Sequence, residues 1–421
     1  MNTFMGWDDT IVALATPHGV GAISVIRLSG EKSIDIVNAL FRNKDLSLQK
    51  SHTLHVGILE NGDEQLDEVV VALYKSPRSY TGEHIVEISC HGSPFIQQRI
   101  LEACVQKGAR LALPGEFTQR AFLNGKMDLA QAEAVADIIA AGSYAAKQTA
   151  LNQLRGGFSS DLKSLRDELI HFTALVELEL DFSDEDVEFV DRSALRKLVE
   201  TLARKTDALI ASFKLGNVIK NGVSVAIIGK PNVGKSTLLN ALLNEERAIV
   251  SDIAGTTRDT IEETLNIGGI LFRLIDTAGI REHSTDVIEN KGIERSKANA
   301  FKADIILHVV DLLNDEGEEK FNWLDEFREK TITIYNKYHP WYKKMEEQGI
   351  LPTPPVPAID AKSGFGIDEL KQYLYKKVME GKTVEGSIVT NARHYEALLK
   401  VRESLTAVRN GLDSGLTGDL L

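Results

Sequence analysis

A complete phosphate-binding loop occupies residues 229–236, where the chain reads Gly-Lys-Pro-Asn-Val-Gly-Lys-Ser. The loop follows the apolar run 223–228 and precedes the helical pattern 237–243. A strand, a glycine-rich loop and a helix in this order suit phosphate binding, because the glycines let backbone N–H groups turn towards the phosphates. Lys235 can reach the β- and γ-phosphate oxygens, and the Ser236 hydroxyl can ligate Mg²⁺. This segment restricts its surroundings to a sheet covered by helices.

Further signals follow in the order of a P-loop GTPase with a mostly parallel sheet. The apolar run 271–275 leads into Asp-Thr-Ala-Gly at 276–279, where a carboxylate and a flexible glycine suit Mg²⁺ and a γ-phosphate sensor. The runs 303–310 and 331–335 predict two more strands, and Asn-Lys at 336–337 stands where a GTPase reads guanine. The expected GTP-binding residues are Asn232, Val233, Gly234, Lys235, Ser236, Thr237, Ser251, Asp252, Ile253, Ala254, Gly255, Thr256, Thr257, Asp276, Thr277, Ala278, Gly279, Asn336, Lys337, Ala361 and Lys362.

The composition is that of a globular protein with room for two or three cores. The 421 residues include 48 Lys and Arg against 61 Asp and Glu, and the net charge of -13 opposes loose, non-specific binding of nucleic acid. The two cysteines, Cys90 and Cys104, do not form a disulfide framework, which favours a reducing compartment. We expect a soluble, cytoplasmic protein without membrane association, because the N-terminus is acidic and no apolar run approaches about 18 residues.

The pattern along the chain predicts a GTPase domain inserted into a helical domain. Residues 9 to about 124 alternate between strand and helix patterns, with strands expected at 9–16, 21–28, 66–74 and 84–89 and a helix at 94–106. Helical spacing runs over 128–154, 158–181 and 194–214, with Asp128 as N-cap, and it resumes at Asn391. The expected domains are an N-terminal domain at 1–124, the first part of the helical domain at 125–215, a Ras-like P-loop GTPase domain at 216–380 and an incomplete returning part at 381–421.

The chain resembles the MnmE (TrmE) family of bacterial tRNA-modification GTPases over nearly its whole length. Outside the GTPase motifs, the resemblance depends on residues 10–17, 80–83 and 114–134, of which the last segment is long and not demanded by any helix or strand. It implies a homodimer whose N-terminal domain binds tetrahydrofolate and dimerises. It also implies a heterotetramer with the flavoprotein MnmG that modifies C5 of the wobble uridine (position 34) in certain tRNAs. The one-carbon donor would be 5,10-methylene- or 5-formyl-tetrahydrofolate.

The resemblance also implies roles for particular residues. Arg27, Glu87 and Lys126 would contact folate, whose pterin amide edge suits a carboxylate and whose glutamate tail suits cations. In the GTPase domain, Mg²⁺ ligands map to Ser236 and Thr257, and K⁺ ligands map to Asn232, Ser251, Ile253 and Thr256.

The residue expected to orient the attacking water is Glu282. The usual glutamine just after the glycine is absent, and Ile280, which follows Gly279, cannot orient water. Glu282 lies three residues after Gly279, and the resemblance supports this role for it.

Three features depart from the family pattern. The guanine motif should read Asn-Lys-x-Asp, but Tyr338 and His339 follow Asn336 and Lys337. Asp360 stands where Ser-Ala-Lys usually begins, and the sequence ends at Leu421 without the family's Cys-Ile-Gly-Lys tail. We expect no helix at 338–357, because four prolines fall between residues 352 and 357.

Two other functions share parts of this pattern. A ribosome-assembly or signalling GTPase would carry the same motifs at 229–279 with a non-folate N-terminal domain. A folate-dependent one-carbon enzyme with a regulatory GTPase would not require tRNA for activity.

Overall fold

The computed structural model describes residues 9–42, 44–181, 192–246, 263–275, 289–314, 322–348, 357–380, 387–414 and 416. The chain divides into two compact units, Met1–Ala136 and Asp137–Leu421. Within the described ranges, no helix is both long and apolar enough to cross a membrane.

The first unit is a mixed α+β structure. Its elements are β1 (Ile11–Leu14), β2 (Ile23–Ser29), α1 (Ser33–Asn38), β3 (Thr53–Asn61), β4 (Glu64–Tyr74), β5 (Ile85–His91), α2 (Pro94–Gln106), β6 (Arg110–Leu111) and α3 (Glu116–Leu123). The strands form one sheet in the order β3-β4-β5-β2-β1-β6, in which β1 and β6 are parallel and the other neighbours antiparallel. The strands predicted in four segments and the helix predicted at 94–106 are confirmed.

The sequence pattern does not predict β3, because some of its apolar side chains point towards solvent while polar or small residues between them face the core. Its outward side chains include Leu54 and Val56, which are exposed, whereas His55 and Gly57 face the core. The alternation of apolar residues in the sequence would therefore place the solvent-facing side of β3 in the core.

The same period of two decides which face of β2 can bind a ligand. Ile26 and Leu28 are fully buried in the core that α1 and α2 cover. Arg27 lies between them and therefore points to the opposite face of the sheet.

The second unit holds the predicted, mostly parallel sheet. Its elements are β7 (Val223–Ile228), α8 (Lys235–Glu246), β8 (Glu263–Ile267), β9 (Ile270–Leu274), α9 (Glu289–Lys302), β10 (Ile305–Asp311), a 3₁₀ segment (Asn322–Lys330), β11 (Thr331–Asn336), α10 (Tyr338–Glu347) and α11 (Ile367–Met379). The strand order is β11-β10-β7-β9-β8, and the hairpin pair β8–β9 is antiparallel while the other pairs are parallel. Both faces are covered, since Leu238 and Leu370 pack on one side and Ala300 and Leu324 on the other. All six residues of β7 are buried, as a central parallel strand requires.

The described chain has further helices: α4 (Leu129–Ala140), which crosses the boundary between the two units, and α5 (Tyr144–Leu154), α6 (Gly157–Asp181), α7 (Arg192–Asn221) and α12 (Ala392–Asp413) in the second unit. The predicted N-cap is confirmed, because Asp128 and Gln131 exchange two hydrogen bonds of 2.9 Å. Asn391 is a further N-cap, and it accepts a hydrogen bond from the N–H of Arg393. α12 returns to α7, where the rings of Phe213 and Tyr395 stack at 4.3 Å. A helix that follows the GTPase sheet in the chain therefore packs against a helix that precedes it.

Two expectations about helices are wrong. The single helix predicted over 128–154 is interrupted, because the Ser143 hydroxyl accepts from the N–H of Ala146 at 3.1 Å and begins α5 separately. The stretch after the guanine motif does contain a helix, α10, which ends at Glu347 before the prolines. Pro340 lies in its first turn, where a missing N–H costs no helical hydrogen bond.

Candidate functional site

The loop between β7 and α8 has the geometry of an anion site. The first turn of α8 begins at Lys235, so its N–H groups face the loop. Lys235 Nζ donates 2.7 Å hydrogen bonds to the carbonyls of Gly229 and Lys230, which places the ammonium across the loop. Burial lowers the pKa of Lys235, because withdrawal from water disfavours the charged ammonium. A bound phosphate would stabilise that charge.

Two loop positions require glycine for different reasons. Gly234 has a φ of +98°, and a Cβ there would lie 2.2 Å from Nδ2 of Asn336. A Cβ at Gly229 would lie 2.4 Å from the carbonyl oxygen of Val309 on β10. The loop therefore approaches β10 and the side chain of Asn336 too closely for any side chain at these positions.

Asn336, at the end of β11, joins the phosphate loop to the second base-reading segment. Its Nδ2 donates to the carbonyl of Val233 at 2.8 Å, and its Oδ1 accepts from the N–H of Ala361 at 3.1 Å. The residue is 3% exposed, so both bonds are sheltered from water. Asn336 consequently fixes the loop and the segment 360–363 relative to each other.

Lys337 is held by a carboxylate on the adjacent strand. Its backbone is left-handed, with a φ of 64°, and its Nζ lies 2.6 Å from Oδ2 of Asp311 at the end of β10. Burial would raise the pKa of Asp311, but hydrogen bonds from Lys337, the N–H of Leu313 and Asn314 outweigh it, and the net shift is downward. Asp311 thus remains ionised and orients Lys337, a contact that the sequence does not reveal.

The structure brings ten of the predicted nucleotide-binding residues around this edge of the sheet, from the loop and its helix, the end of β11 and the segment after residue 360. They are Asn232, Val233, Gly234, Lys235, Ser236, Thr237, Asn336, Lys337, Ala361 and Lys362. The remaining predicted residues lie outside the described part of the chain and stay predictions: Ser251, Asp252, Ile253, Ala254, Gly255, Thr256, Thr257, Asp276, Thr277, Ala278, Gly279 and Glu282.

In the first unit, Arg27 and Glu87 face each other across β2 and β5. Nε and an Nη of Arg27 both lie 2.7 Å from Oε1 of Glu87. The guanidinium carbon is 5.5 Å from the ring centre of Tyr80 and 5.7 Å from that of Phe117. These two rings are functional candidates that residue-by-residue reasoning missed, although Tyr80 and Phe117 both lie in segments that carry the family resemblance.

Lys126 lies beside the same loop, 77–82, that carries Tyr80. Its Nζ donates to the carbonyl of Pro77 at 3.1 Å, and a Cβ on Gly82 would touch its aliphatic stem at 3.4 Å. The loop therefore contacts Lys126 at one side, while Tyr80 contacts Arg27.

A buried ionic network supports this loop. Arg120 on α3 is 1% exposed and reaches Oδ1 of Asp9 at 2.7 Å, Oε1 of Glu116 at 3.1 Å and Glu83 at 3.3 Å. Glu83 in turn accepts a 2.7 Å hydrogen bond from Ser29 at the end of β2. Three carboxylates around one guanidinium thus connect the N-terminus, the loop and α3.

No group of three or more His, Cys, Asp or Glu side chains with the arrangement of a metal site occurs among the described residues.

A phosphate-binding loop on a mostly parallel, helix-covered sheet defines a P-loop nucleotide-binding protein. The family model of the GTP-binding protein TrmE N-terminus matches residues 10–126, and that of the MnmE helical domain matches residues 129–421. The chain belongs to the family of tRNA modification GTPases MnmE and is a GTP-binding, GTP-hydrolysing enzyme.

Two relatives illustrate the extent of the match. The tRNA modification GTPase MnmE of Cytophaga hutchinsonii is 52% identical over 421 residues, which cover 98% of this chain and 90% of that protein. That of Flavobacterium johnsoniae is 49% identical over 433 residues, with 98% and 92% covered. Among solved structures, the G domain of the T. maritima FeoB iron transporter is 25% identical, covers 37% of this chain and 98% of its own, and has a TM-score of 0.25.

Proposed function

We propose that this enzyme acts with a flavoprotein similar to MnmG and with a one-carbon tetrahydrofolate to modify C5 of the wobble uridine, position 34, in certain tRNAs. The observation that carries the proposal is the family match at residues 10–126, before the GTPase domain, and at residues 129–421, which span it. The ribosome-assembly and signalling alternative calls for a different N-terminal domain, and it has no such support. We place the reaction in the cytoplasm, in a homodimer that joins the flavoprotein as a heterotetramer.

The domain boundaries proposed for this activity are 1–124, 125–215, 216–380 and 381–421. They are supported by the packing of α12, which follows the GTPase sheet in the chain, against α7, which precedes it. Gln153 on α5 adds to it, because its Nε2 donates to the carbonyl of Ile388 at 3.0 Å and to the Thr390 hydroxyl at 3.1 Å. Movement of the inserted domain would thus act directly on the helices.

GTP hydrolysis needs positive charge near the β–γ bridge and a positioned water. The described part of the proposed cation sites fits, because Asn232 offers an exposed amide oxygen and Ser236 a hydroxyl at the start of α8. Ser236 and Thr257 would hold Mg²⁺, while Asn232, Ser251, Ile253 and Thr256 would hold K⁺. The cations would supply charge that stabilises the leaving phosphate oxygens. Lys235 binds the phosphates, and Glu282 orients the attacking water.

The folate proposal rests on the face of β2 and β5 that carries Arg27. Nε and one Nη of that guanidinium both contact Oε1 of Glu87. Within the described chain, Oε2 of Glu87 has no hydrogen-bond partner. A carboxylate oxygen with open lone pairs is an acceptor for the N–H groups of a pterin edge. The rings of Tyr80 and Phe117 flank Arg27 and add apolar surface for a flat ligand. Lys126, beside the same loop, suits the glutamate tail.

The test is restoration of wobble-uridine modification in a bacterial strain that lacks its own MnmE. Expression of the full chain should restore the modified nucleoside, measured by mass spectrometry of digested tRNA, and Lys235→Ala should not. Unmodified uridine in cells that contain the folded, GTP-hydrolysing chain would contradict the proposal.

A further inference from the structure

The position that normally reads guanine with a carboxylate is occupied by His339, whose ring is held by Asp360. His339 lies in the first turn of α10, three residues after Asn336, which contacts the phosphate loop and Ala361. Its Nδ1 lies 3.0 Å from Oδ2 of Asp360, immediately before Ala361. Both altered residues of the two base-reading motifs therefore form one pair.

Asp360 itself is fully engaged and cannot replace the missing carboxylate. Its Oδ1 accepts from the N–H groups of Lys362 and Ser363 at 3.1 and 3.3 Å, while Oδ2 faces His339. Its side chain is 10% exposed, compared with 52% for that of His339. The group of the pair available to a ligand is thus the imidazole.

The hydrogen-bond network determines which ring nitrogen carries the proton. An ionised carboxylate only accepts, so Nδ1 donates to Asp360. The Ser363 hydroxyl, 3.2 Å from the same nitrogen, can accept from it while donating to the Asp360 carbonyl at 3.3 Å. Nε2 of the neutral ring is then an acceptor, and within the described chain it has no hydrogen-bond partner. Phe365, whose ring centre lies 4.9 Å away, restricts the imidazole from another side.

We infer that Nε2 of His339, oriented by Asp360, reads the purine as a single hydrogen-bond acceptor, so that the enzyme takes inosine triphosphate about as well as GTP. This inference deepens the proposed function and rests on the nucleotide site described there. A carboxylate accepts from both the N1–H and the 2-amino group of guanine, whereas one lone pair accepts from N1–H alone. Hypoxanthine keeps N1–H and lacks only the 2-amino group. Adenine presents a bare N1 lone pair to Nε2 and is rejected.

The test compares the binding of GTP, ITP and ATP to the full chain by competition with a fluorescent guanine nucleotide. The wild-type chain should bind GTP and ITP within about fivefold, the range of one neutral hydrogen bond, and ATP more weakly. The double variant His339→Asp/Asp360→Ser restores the usual motifs and avoids two adjacent carboxylates. It should prefer GTP over ITP by about tenfold more than the wild-type chain, because the regained bond is to a charged group.

His339→Phe provides a second variant that keeps a ring against Phe365 and removes both nitrogens. It should weaken GTP and ITP equally and lose part of the discrimination against ATP. Wild-type discrimination between GTP and ITP as strong as that of the double variant would overturn the inference, as would ATP binding equal to GTP binding. If the wild-type chain bound no nucleotide more tightly than Lys235→Ala, the proposed nucleotide site itself would be wrong.

Discussion

Asn336 Nδ2 donates a 2.8 Å hydrogen bond to the backbone carbonyl of Val233. The residue that opens the guanine motif therefore holds the phosphate loop, although 103 positions separate the two in the chain. We therefore expect binding of the base and binding of the phosphates to depend on this one buried amide.

Replacing Asn336 with Ala should weaken GTP binding by about 10- to 100-fold, because two sheltered hydrogen bonds are lost and a backbone carbonyl is left unpaired. Titration calorimetry of the full chain with GTP measures this change. Asn217→Ala, at an exposed position of α7, is the matched control and should bind GTP normally. Normal affinity in Asn336→Ala would show that the Val233 contact does not support the site.

Gly234→Ala should abolish nucleotide binding and destabilise the GTPase sheet. The methyl group would lie 2.2 Å from Nδ2 of Asn336, in addition to the strain of a φ of +98°. Gly269→Ala separates these effects, since Gly269 has a φ of +85° but its Cβ would meet only Ala145, at 3.9 Å. Thermal unfolding and GTP binding of both variants give the comparison. Equal losses in the two would assign the whole effect to backbone strain.

Arg27→Ala should weaken binding of 5-formyltetrahydrofolate to the full chain by about 1.5 to 3 kcal/mol, the range for a hydrogen bond to a charged group. Glu87→Ala should have a similar effect, since each residue positions the other. Arg42→Ala is the control, because Arg42 forms a more exposed ion pair, 3.6 Å from Glu60, in the same unit. Calorimetry that detects no difference between Arg27→Ala and Arg42→Ala would remove Arg27 from the folate site.

Arg120→Ala should lower the local stability of α3 by about 3 kcal/mol at neutral pH, because it removes the guanidinium shared by the buried carboxylate of Glu116 and the partly exposed carboxylates of Asp9 and Glu83. Burial alone would raise the pKa of Glu116. Hydrogen bonds from Arg110, from the N–H of Leu113 and from Arg120 lower it by more than burial raises it, so the net shift is downward. A carboxyl with a lowered pKa stabilises the fold above its unfolded pKa of about 4, and this contribution is lost as the pH falls through the pKa of the folded state.

The difference in the local stability of α3 between Arg120→Ala and the wild-type chain should therefore become smaller towards pH 3. Hydrogen exchange of the α3 amides, corrected for intrinsic rates, measures it at both pH values. Arg99→Ala breaks a more exposed pair with Glu64 and should cost under about 1 kcal/mol. A difference that does not change with pH would exclude the ionised carboxylates as its cause.

GTP turnover should require K⁺ and fall by about 10³-fold in Na⁺, since transition-state charge of this kind contributes that much.

Glu282→Ala should slow turnover by about 10²-fold and leave GTP affinity nearly unchanged, because positioning water acts in the transition state. Phosphate release at matched ionic strength, with exposed Glu369→Ala as the control, tests both expectations. Equal rates in the two salts would exclude the K⁺ site, and normal turnover of Glu282→Ala would remove its assigned role.

Local sequence patterns were sufficient for the elements whose stability is itself local. β7 has the bounds that its apolar run predicts, and the helices after Asp128 and Asn391 begin at their capping residues. A cap, a buried strand or a glycine-rich turn depends on residues a few positions apart, and such signals can be read along the chain.

The pairing of distant side chains was decided by the tertiary structure. Arg27 meets Glu87 because the register of β2 on β5 aligns them, and His339 meets Asp360 because Ala358 pairs with Tyr335 at the end of β11. The helix at 338–347 was likewise not predicted, because the stacking of Tyr338 on Phe365, which packs its first turn against a later segment, is not visible in the local sequence. These contacts join residues 21 to 60 positions apart. Sequence order does not encode such distances, since they depend on how the sheet closes.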